Sequence, residues 1–429
     1  MIAFSTTAFL FLMLTIGMPV AFSLAVAGSA GLYFVGGWDA VVGVISTAPL
    51  STAGSYELIS VPLFILMAEF VILSGVADDL FKAAATWVGR VPGGLGMATA
   101  IAGAGFGAIS GSSTASAATL SSTTMPAMLK QGYDPKLAGG VVAISGTLAM
   151  LIPPSIALVL YGIIADVSIG QLLIGGVIPG ILVTLTIMAT VLVLVTIDPA
   201  SAPRGRAYTW GEKVRSLKVV GPMLFLFMAV TGVIYTGIAT PTEASGLGAF
   251  GAFLIALYER KVTRASLAKA LVHAAHASCM IIMIVVCAKI FGYFLTLTQS
   301  TQAIVQWVGA LDVSRWVILA IVLFGYLVMG CLMDQIAILI LTVPIVLPLM
   351  KALGFDPVWF GVMIVVMAEV GLVTPPVGLN VFVVARYAKR PLSEIFAGVW
   401  PHVISHLMLV VVMAAFPAIV LWLPSKMAL

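Results

Sequence analysis

Asp334 stands in a stretch, residues 315–350, whose only other charged residue is Arg315. A carboxylate inside such an apolar run is costly to bury and marks a functional site by default. A second polar feature lies at residues 103–126, which carry no charge, ten Ser and Thr hydroxyls and four glycines. Ser110, Ser112, Ser113 and Thr114 are the densest part of it. Two proline pairs complete the set, Pro153-Pro154 before Ser155 and Pro375-Pro376 after Thr374. Each pair removes two backbone donors and leaves carbonyls of the preceding turn without partners. Away from water those carbonyls must be met by a neighbouring helix, a water or a cation. The chemistry on offer is coordination and hydrogen bonding, not bond making. No nucleophile–base pair and no Cys/His cluster is visible. Cys279, Cys287 and Cys331 all lie in apolar runs and read as buried small hydrophobes. His273 with His276, and His402 with His406, fall near the ends of apolar spans and read as interfacial or packing residues, not metal ligands.

The elements that position these groups must be membrane helices. The chain of 429 residues is 62% hydrophobic and 8% charged, with mean hydropathy +1.19. An ordinary soluble domain has about 25% charged residues. At about 20 apolar residues per span, there is room for on the order of a dozen segments. Net charge +4 says little about partners, since the basic residues sit in short loops, and no basic stripe interleaved with aromatics supports nucleic-acid binding. The first charge is Asp39, so residues 2–36 read as retained membrane helix, not a cleaved leader.

In order, residues 3–36 predict one tilted helix or a tight pair, with Gly17 and Pro19 leaving both open, and residues 37–56 a loop. Residues 57–76 predict a span, and Asp78, Asp79, Lys82 and Arg90 an amphipathic stretch. Residues 94–130 predict a hairpin of two half-helices meeting near 110–114; arms of about 15 residues reach only some 22 Å and do not span. Residues 136–166 predict a helix broken at Pro153-Pro154, and residues 169–197 an uninterrupted span. Basic loops at 198–218 and 259–269 flank spans at 219–238 and 242–258. After a span at 270–297, a second hairpin follows at 315–350, then a helix over 357–388 broken at Pro375-Pro376 and a last span at 394–423. The expected organisation is an N-terminal scaffold (1–56), a first repeat (57–197), a basic linking segment with a helix pair (198–269) and a second repeat (270–429).

The repeat is explicit in the residues. PAMLKQGYDP at 126–135 returns as PLMKALGFDP at 348–357, and Pro153-Pro154 as Pro375-Pro376, both 222 residues later. Trp87-Val88-Gly89 returns as Trp307-Val308-Gly309 after 220 residues. If the two basic loops face the cytoplasm, 16 of the 20 Lys and Arg do so, and only Lys289, Arg315, Lys351 and Lys426 lie elsewhere. The hairpins then enter from opposite sides. Inverted repeats with discontinuous helices meeting at mid-depth are the architecture of secondary transporters. The fold class expected is an all-α polytopic membrane protein with two re-entrant hairpins and two broken helices.

Residues 103–126, the Gly-Tyr-Asp-Pro turn at 132–135, LIPPS at 151–155, ATPTEAS at 239–245 and VTPPVGLN at 373–380 occur in an order that resembles the large membrane subunit of tripartite ATP-independent periplasmic (TRAP) transporters. The resemblance covers essentially the whole chain. It implies an elevator-type carrier of the ion-transporter superfamily kind, sodium as the coupling ion with no other cofactor, and location in the bacterial inner membrane. It also implies a small membrane (Q) subunit and a periplasmic substrate-binding protein that delivers a small organic acid. The small subunit is fused in some members; with no helical bundle before Met1, a separate chain is expected. On this reading Ser112, Ser113, Thr114, Ser155, Asp334 and Gln335 are candidates for the carboxylate. Ser110, Gly111, Pro153, Pro154, Leu332, Asp334, Thr374, Pro375, Gly378 and Asn380 are candidates for sodium. Half-helix N-termini suit a carboxylate, and half-helix C-termini with proline-freed carbonyls suit a weakly held cation. One sodium is expected between the first tip and a break and another between the second tip and its own break, with the pairing left open.

Gly103, Gly107 and Gly111, spaced by four, suit close helix packing, and the glycines can pack while the hydroxyls bind. Glu69 and Lys289 occupy equivalent repeat positions with opposite sign and are expected to stabilise a domain boundary or each other. Glu243, after Thr-Pro-Thr, reads as a helix cap. Glu369, two turns before Pro375, faces either a cavity or a neighbouring helix. Three function classes follow: a sodium-coupled carboxylate carrier, a stand-alone inverted-repeat carrier coupled to protons, and a membrane enzyme or channel. The last lacks convergent catalytic groups and has no need of two broken helices.

Overall fold

The computed structural model describes residues 2–427, leaving aside the side chains of residues 76–78 (Asp78 among them) and 109. The described residues form helices and no strand. Eight helices are long and apolar enough to cross a membrane: Val20–Ala53, Glu57–Ser74, Ile169–Ile197, Trp210–Tyr235, Arg264–Leu297, Arg315–Leu332, Gln335–Ala352 and Leu392–Ala415. Shorter apolar helices lie among them, including Ile2–Thr15, Pro135–Met150, Ile156–Ala165, Pro357–Gly371 and Leu379–Ala388.

Hairpin 1 is Gly94–Ser110 followed by Ser113–Thr123, continued by Met125–Lys130. Hairpin 2 is Arg315–Leu332 followed by Gln335–Ala352. Broken helix 1 runs Pro135–Thr147, a 3-10 turn Leu148–Met150, the proline pair, then Ile156–Ala165. Broken helix 2 runs Pro357–Gly371, the second proline pair, then Leu379–Ala388. The starts of the two broken helices, Pro135 and Pro357, keep the 222-residue offset of the sequence repeat, as do their caps Asp134 and Asp356. Asp134 accepts from Lys136 N–H at 2.9 Å, and Asp356 from Val358 and Trp359 N–H at 2.8 and 3.0 Å. The proline at the first helical position costs no hydrogen bond there, which is why Asp-Pro opens both helices.

Three sequence expectations need correction, and one alternative left open is settled. Residues 37–53 are helical, not loop: Val20–Ala53 runs through them with a kink at Gly37, φ 69°. Glycine takes that positive φ freely, so a bend replaces an ending. The N-terminal region is a helix pair, separated at Gly17 and Pro19. The basic loops are shorter than expected, since Lys213, Arg215 and Lys218 lie in Trp210–Tyr235, and Arg264 and Lys269 in Arg264–Leu297. Thr209 and Thr263 cap those two helices, so polar residues open them before the apolar run begins. The arms of hairpin 2 have 18 residues each and are not too short to span.

The basic segments collect at one end. Gly205 N–H donates to Gly89 O at 3.1 Å, Asp134 N–H to Ser201 O at 2.7 Å, and Gln131 Nε2 to Pro203 O at 3.3 Å. Lys213 lies over the rings of Trp87 and Trp210, 5.6 and 5.2 Å from their centroids. At the other end, Tyr56 OH and Thr240 Oγ1 are 3.2 Å apart, and Thr242 Oγ1 donates to Tyr56 O at 3.3 Å. One large core joins hairpins and broken helices, and a smaller one joins Val20–Ala53 to Arg264–Leu297.

The helices approach closely through small residues, as expected where lipid supplies no hydrophobic drive between them. A Cβ added to Gly103 would lie 2.7 Å from Ser145 O, and one on Gly107 2.8 Å from Ala149 N. In the second half, a Cβ on Gly330 would lie 2.4 Å from Ala368 O. Leu392–Ala415 crosses Pro135–Thr147 backbone to backbone at Gly398 and Gly140.

Candidate functional site

The tip of hairpin 1 is built from its own hydroxyls. Gly111 ends the first arm at φ 55°, a left-handed turn that glycine takes without strain. Ser112 then caps the second arm, its Oγ accepting from Ala115 N–H at 3.4 Å. The buried Ser110 and Ser116 hydroxyls are 2.6 Å apart across the turn, and Ser112 Oγ and Thr114 Oγ1 are 3.4 Å apart. Ser113, 1% exposed, donates to Oδ1 of Asn380, 0% exposed, at 3.0 Å. That bond ties the first hairpin to the second broken helix. The same tip touches the first break: a Cβ on Gly111 would lie 2.9 Å from Ile156 Cγ1.

The breaks answer the carbonyl problem locally. Pro154 lacks the N–H that would reach Met150 O, and the Ser155 hydroxyl donates to that carbonyl instead. Ser155 Oγ also accepts from Leu158 N–H at 3.2 Å, capping Ile156–Ala165. In the second break, Asn380 N–H reaches Leu372 O at 3.1 Å and Thr374 N–H reaches Gly371 O at 2.9 Å, the carbonyls that Pro376 and Pro375 leave free. Thr374 Oγ1 donates to Val370 O at 2.6 Å. Both Pro-Pro bonds are cis.

The tip of hairpin 2 differs. Met333 is extended and Asp334 caps the second arm, its Oδ2 accepting from Ile336 N–H at 3.1 Å. The Asp334 carboxylate is exposed, as is the Leu332 side chain at 54%. Gln335 is fully buried; its Nε2 donates to Val365 O at 3.2 Å, and its Oε1 has no hydrogen-bond partner among the described residues. Gly378 N–H donates to Cys331 O at 3.2 Å, so this tip meets its own break. No direct contact joins Asp334 to Ser110, Ser112, Ser113 or Thr114 among the described residues.

The structure thus brings together Ser113, Asn380, Gly378 and the Cys331 carbonyl around the second break, and Gly111 with Ile156 beside the first. Two half-helices, Ser113–Thr123 and Leu379–Ala388, begin at this junction; in the second, Asn380 N–H and Val381 N–H are taken by Leu372 O and Gly378 O, so the first is the N-terminus that better favours an anion. Unpartnered buried atoms cluster in the same elements: Asn380 Nδ2, Gln335 Oε1 and Glu369 Oε1. The Glu369 carboxyl lies against the Met150 backbone amide, so it faces the other half's broken helix. Ser116 was not foreseen, because its link to Ser110 crosses a turn and follows no helical spacing.

The remaining ionisable groups fall out differently from expectation. Glu69 does not pair with Lys289; the imidazole of His273 lies beside it, Nδ1 to Oε1 3.9 Å. Glu243 does cap its helix, in a reciprocal arrangement with Thr240. His402 and His406 sit in the middle of Leu392–Ala415, not near its end, and are fully buried. Cys279 is exposed, while Cys287 and Cys331 are buried.

Comparison with known proteins fits this arrangement. A family model described as the DctM component of the tripartite ATP-independent periplasmic transporter matches residues 7–419. The chain is 35% identical over 376 residues to the C4-dicarboxylate TRAP transporter large permease protein DctM of Pseudomonas aeruginosa, covering 87% of both chains. It is 32% identical over 418 residues to the isethionate TRAP transporter permease protein DctMQ of Oleidesulfovibrio alaskensis, covering 95% of this chain and 64% of that longer one. Among solved structures, the YdaH transporter of Alcanivorax borkumensis, described as having an unusual topology, matches with a TM-score of 0.65 at 15% identity, over 89% of this chain and 90% of that one. The repeated hairpin and broken-helix order, matched by the family model along nearly its whole length, makes this chain a member of the DctM family, the large permease component of tripartite ATP-independent periplasmic transporters.

Proposed function

We propose that this chain carries a small organic acid across the bacterial inner membrane by sodium-coupled secondary transport, with an elevator motion of the hairpin body. The observation that carries the reading is the Ser113–Asn380 bond: a hairpin tip from one half meets the broken helix of the other, where two half-helix N-termini begin. Such a junction offers backbone N–H groups to a carboxylate and oxygen donors to sodium without formal charge on either. The anion is held by Ser112, Ser113 and Thr114; Asp334 of the second tip reaches it through the sodium it shares, and Gln335, whose amide nitrogen is taken by Val365 O, lines the site. One sodium sits at the first tip with Ser110, Gly111 and the carbonyls of the first break. A second sits between Leu332, Asp334 and the second break, with Thr374, Gly378 and Asn380.

The inverted arrangement rests on charge. With the basic end in the cytoplasm, the two hairpins point their tips toward each other from opposite faces. The Ser113–Asn380 bond, which joins the first tip to the second broken helix, supports a first hairpin that ends at mid-depth, and the 222-residue repeat extends the re-entrant reading to the second. The small membrane subunit and the periplasmic binding protein complete the system, as the word tripartite in the family description suggests. The acid is proposed to be a dicarboxylate, the class named for the Pseudomonas relative.

The test is uptake of radiolabelled succinate into liposomes holding this chain with its small subunit, supplied with the binding protein outside. Uptake is expected only with an inward sodium gradient and both partners present. Equal uptake by this chain alone, in sodium-free buffer with a proton gradient, would overturn the proposal in favour of a stand-alone proton-coupled carrier.

A further inference from the structure

Two adjoining cavities lie at the end of the molecule opposite the basic segments. One, of about 450 Å3, lies between Arg264–Leu297, the outer half of Ile156–Ala165 and the second arm of hairpin 2. The other, of about 600 Å3, reaches the 237–242 turn and residues 55–57. They share Ile163 and Lys289. Lys289 is half-buried on a helix otherwise apolar at that depth, where an ammonium is costly unless something faces it. Among the described residues no ion pair or hydrogen bond holds its ammonium. A second lysine, Lys351, exposed and carried by hairpin 2, also lines the smaller cavity. No carboxylate lines that cavity, whereas Glu57 and Asp166 line the larger one.

Two lysines on different helices, with Tyr293, Thr296 and Thr301 in the same lining, give the cavity the chemistry to hold an anion with two charged ends. The cavity is separate from the hairpin tips. Its lining residue nearest Asp334 along the arm is Val343, nine residues on, or about 13 Å of helix. The two lysines also stand on different helices, Lys289 on Arg264–Leu297 and Lys351 on the second arm of hairpin 2.

We propose that the cavity between Lys289 and Lys351 is an anion-holding subsite, taking an organic dianion of the dicarboxylate class before it reaches the hairpin tips. Its place on a transport route rests on the function proposed above; the binding of the anion does not. Lysine here acts as a point charge that attracts and orients, and the hydroxyls fix the carboxylate oxygens. The larger cavity, with its acidic rim, disfavours the anion and leaves Lys289 as the attraction that draws it onward.

The test measures charge inside the cavity directly. Thr301→Cys is introduced into the full chain in nanodiscs, and reaction at position 301 is followed by peptide mass spectrometry, so that the native cysteines are not counted. Anionic sulfonatoethyl and cationic trimethylammonium-ethyl methanethiosulfonates are compared, each normalised to its rate with a free thiol. The anionic reagent is expected to be favoured by about fivefold, with Lys289→Gln together with Lys351→Gln abolishing the preference. Millimolar succinate should slow the reaction at position 301 in the native-lysine protein and not in the double Gln variant. Lys289→Arg, which keeps the charge, should retain both effects and so separates loss of charge from loss of fold. A preference untouched by the Gln changes, or a reaction that succinate leaves unslowed in the native-lysine protein, overturns the subsite. If instead liposome uptake proves independent of sodium while the charge preference and protection persist, the transport reading fails and the subsite stands.

Discussion

The Ser113–Asn380 hydrogen bond gives a quantitative handle on how the halves are joined. It spans 3.0 Å between two side chains that are 1% and 0% exposed, so neither partner has water to turn to. Ser113→Ala leaves Asn380 Oδ1 buried and unmet, and Asn380 Nδ2 already lacks a partner. Stranding a buried acceptor costs about 1–3 kcal/mol. Interhelical hydrogen bonds within membrane proteins show pairwise couplings averaging about 0.6 kcal/mol and reaching about 1.7, because the unfolded chain in lipid also finds partners. Asn380 accepts through one side-chain oxygen from a buried hydroxyl in the first turn of a helix, which places the expected coupling in the upper half of that range, about 1–1.5 kcal/mol. Ser113→Ala, Asn380→Ala and the double variant should be compared by reversible unfolding in mixed micelles. The double variant should lose less than the sum of the single losses by that amount. A coupling below about 0.3 kcal/mol would refute the idea that this bond holds the first hairpin against the second break. Asn380→Ala also tests the neighbouring repair, since its backbone N–H still reaches Leu372 O, so the break itself should survive.

Three further outcomes follow from the same geometry. Gly398→Ala would place a Cβ 1.8 Å from Lys136 O, so it should destabilise the protein by about 2 kcal/mol or more, while Gly292→Ala, with nothing within 4 Å, should be neutral or stabilise by about 0.5 kcal/mol in thermal unfolding. Asp334→Asn keeps an N-cap acceptor but removes the charge, so the protein should assemble normally while succinate uptake at limiting sodium falls at least about tenfold; unchanged uptake would remove Asp334 from the sodium set. Tyr133→Phe removes the hydroxyl that accepts from Leu95 N–H at 3.0 Å and should cost about 1 kcal/mol in unfolding, with uptake unchanged.

The parts of the fold legible in the sequence are those where composition changes abruptly. The first tip shows because ten hydroxyls in an apolar chain have few other uses, and the breaks show because paired prolines forbid a continuous helix. Residues 37–53 were misread as loop because Gly36-Gly37 and Asp39 look like punctuation, yet one positive φ at Gly37 absorbs the bend and the helix resumes. The basic loops are shorter than the charge pattern implies, because Thr209 and Thr263 cap helices whose opening turns include Lys213, Arg215 and Lys218, and Arg264 and Lys269. The site was only half legible. Helical spacing speaks about neighbours on one helix, and the bonds that assemble this junction join Ser113 to Asn380 and Cys331 to Gly378. The expectation that Glu69 meets Lys289 failed for a related reason: equivalent positions in two halves need not touch, and Glu69 finds His273 on the helix packed beside it.

The two halves have kept their backbone plan and divided their chemistry. Ser112 and Asp334 hold equivalent positions and both cap the second arm of a hairpin, but one is half-buried among hydroxyls and the other presents an exposed carboxylate. Tyr133 and Phe355 are equivalent as well. Burial pushes the Tyr133 phenol up from its usual range, so it stays neutral and pins the start of the first arm through Leu95 N–H. Phe355 makes no such bond; it stacks on Trp359, with the Arg315 guanidinium 5.5 Å from its ring centroid. The first hairpin is therefore fixed at its base by a directional bond and at its tip by Ser113 and Gly111, whereas the second is held at its base by ring packing and at its tip by two hydrogen bonds, Gly378 N–H to Cys331 O and Gln335 Nε2 to Val365 O. Packing contacts tolerate sliding better than directional bonds in a dry interior, where a broken hydrogen bond finds no water. The difference lies at the bases: the first hairpin's base is pinned by a hydrogen bond, while the second's rests on ring packing that tolerates more sliding. That hairpin also carries both the exposed carboxylate at the tip and the lysine in the outer cavity.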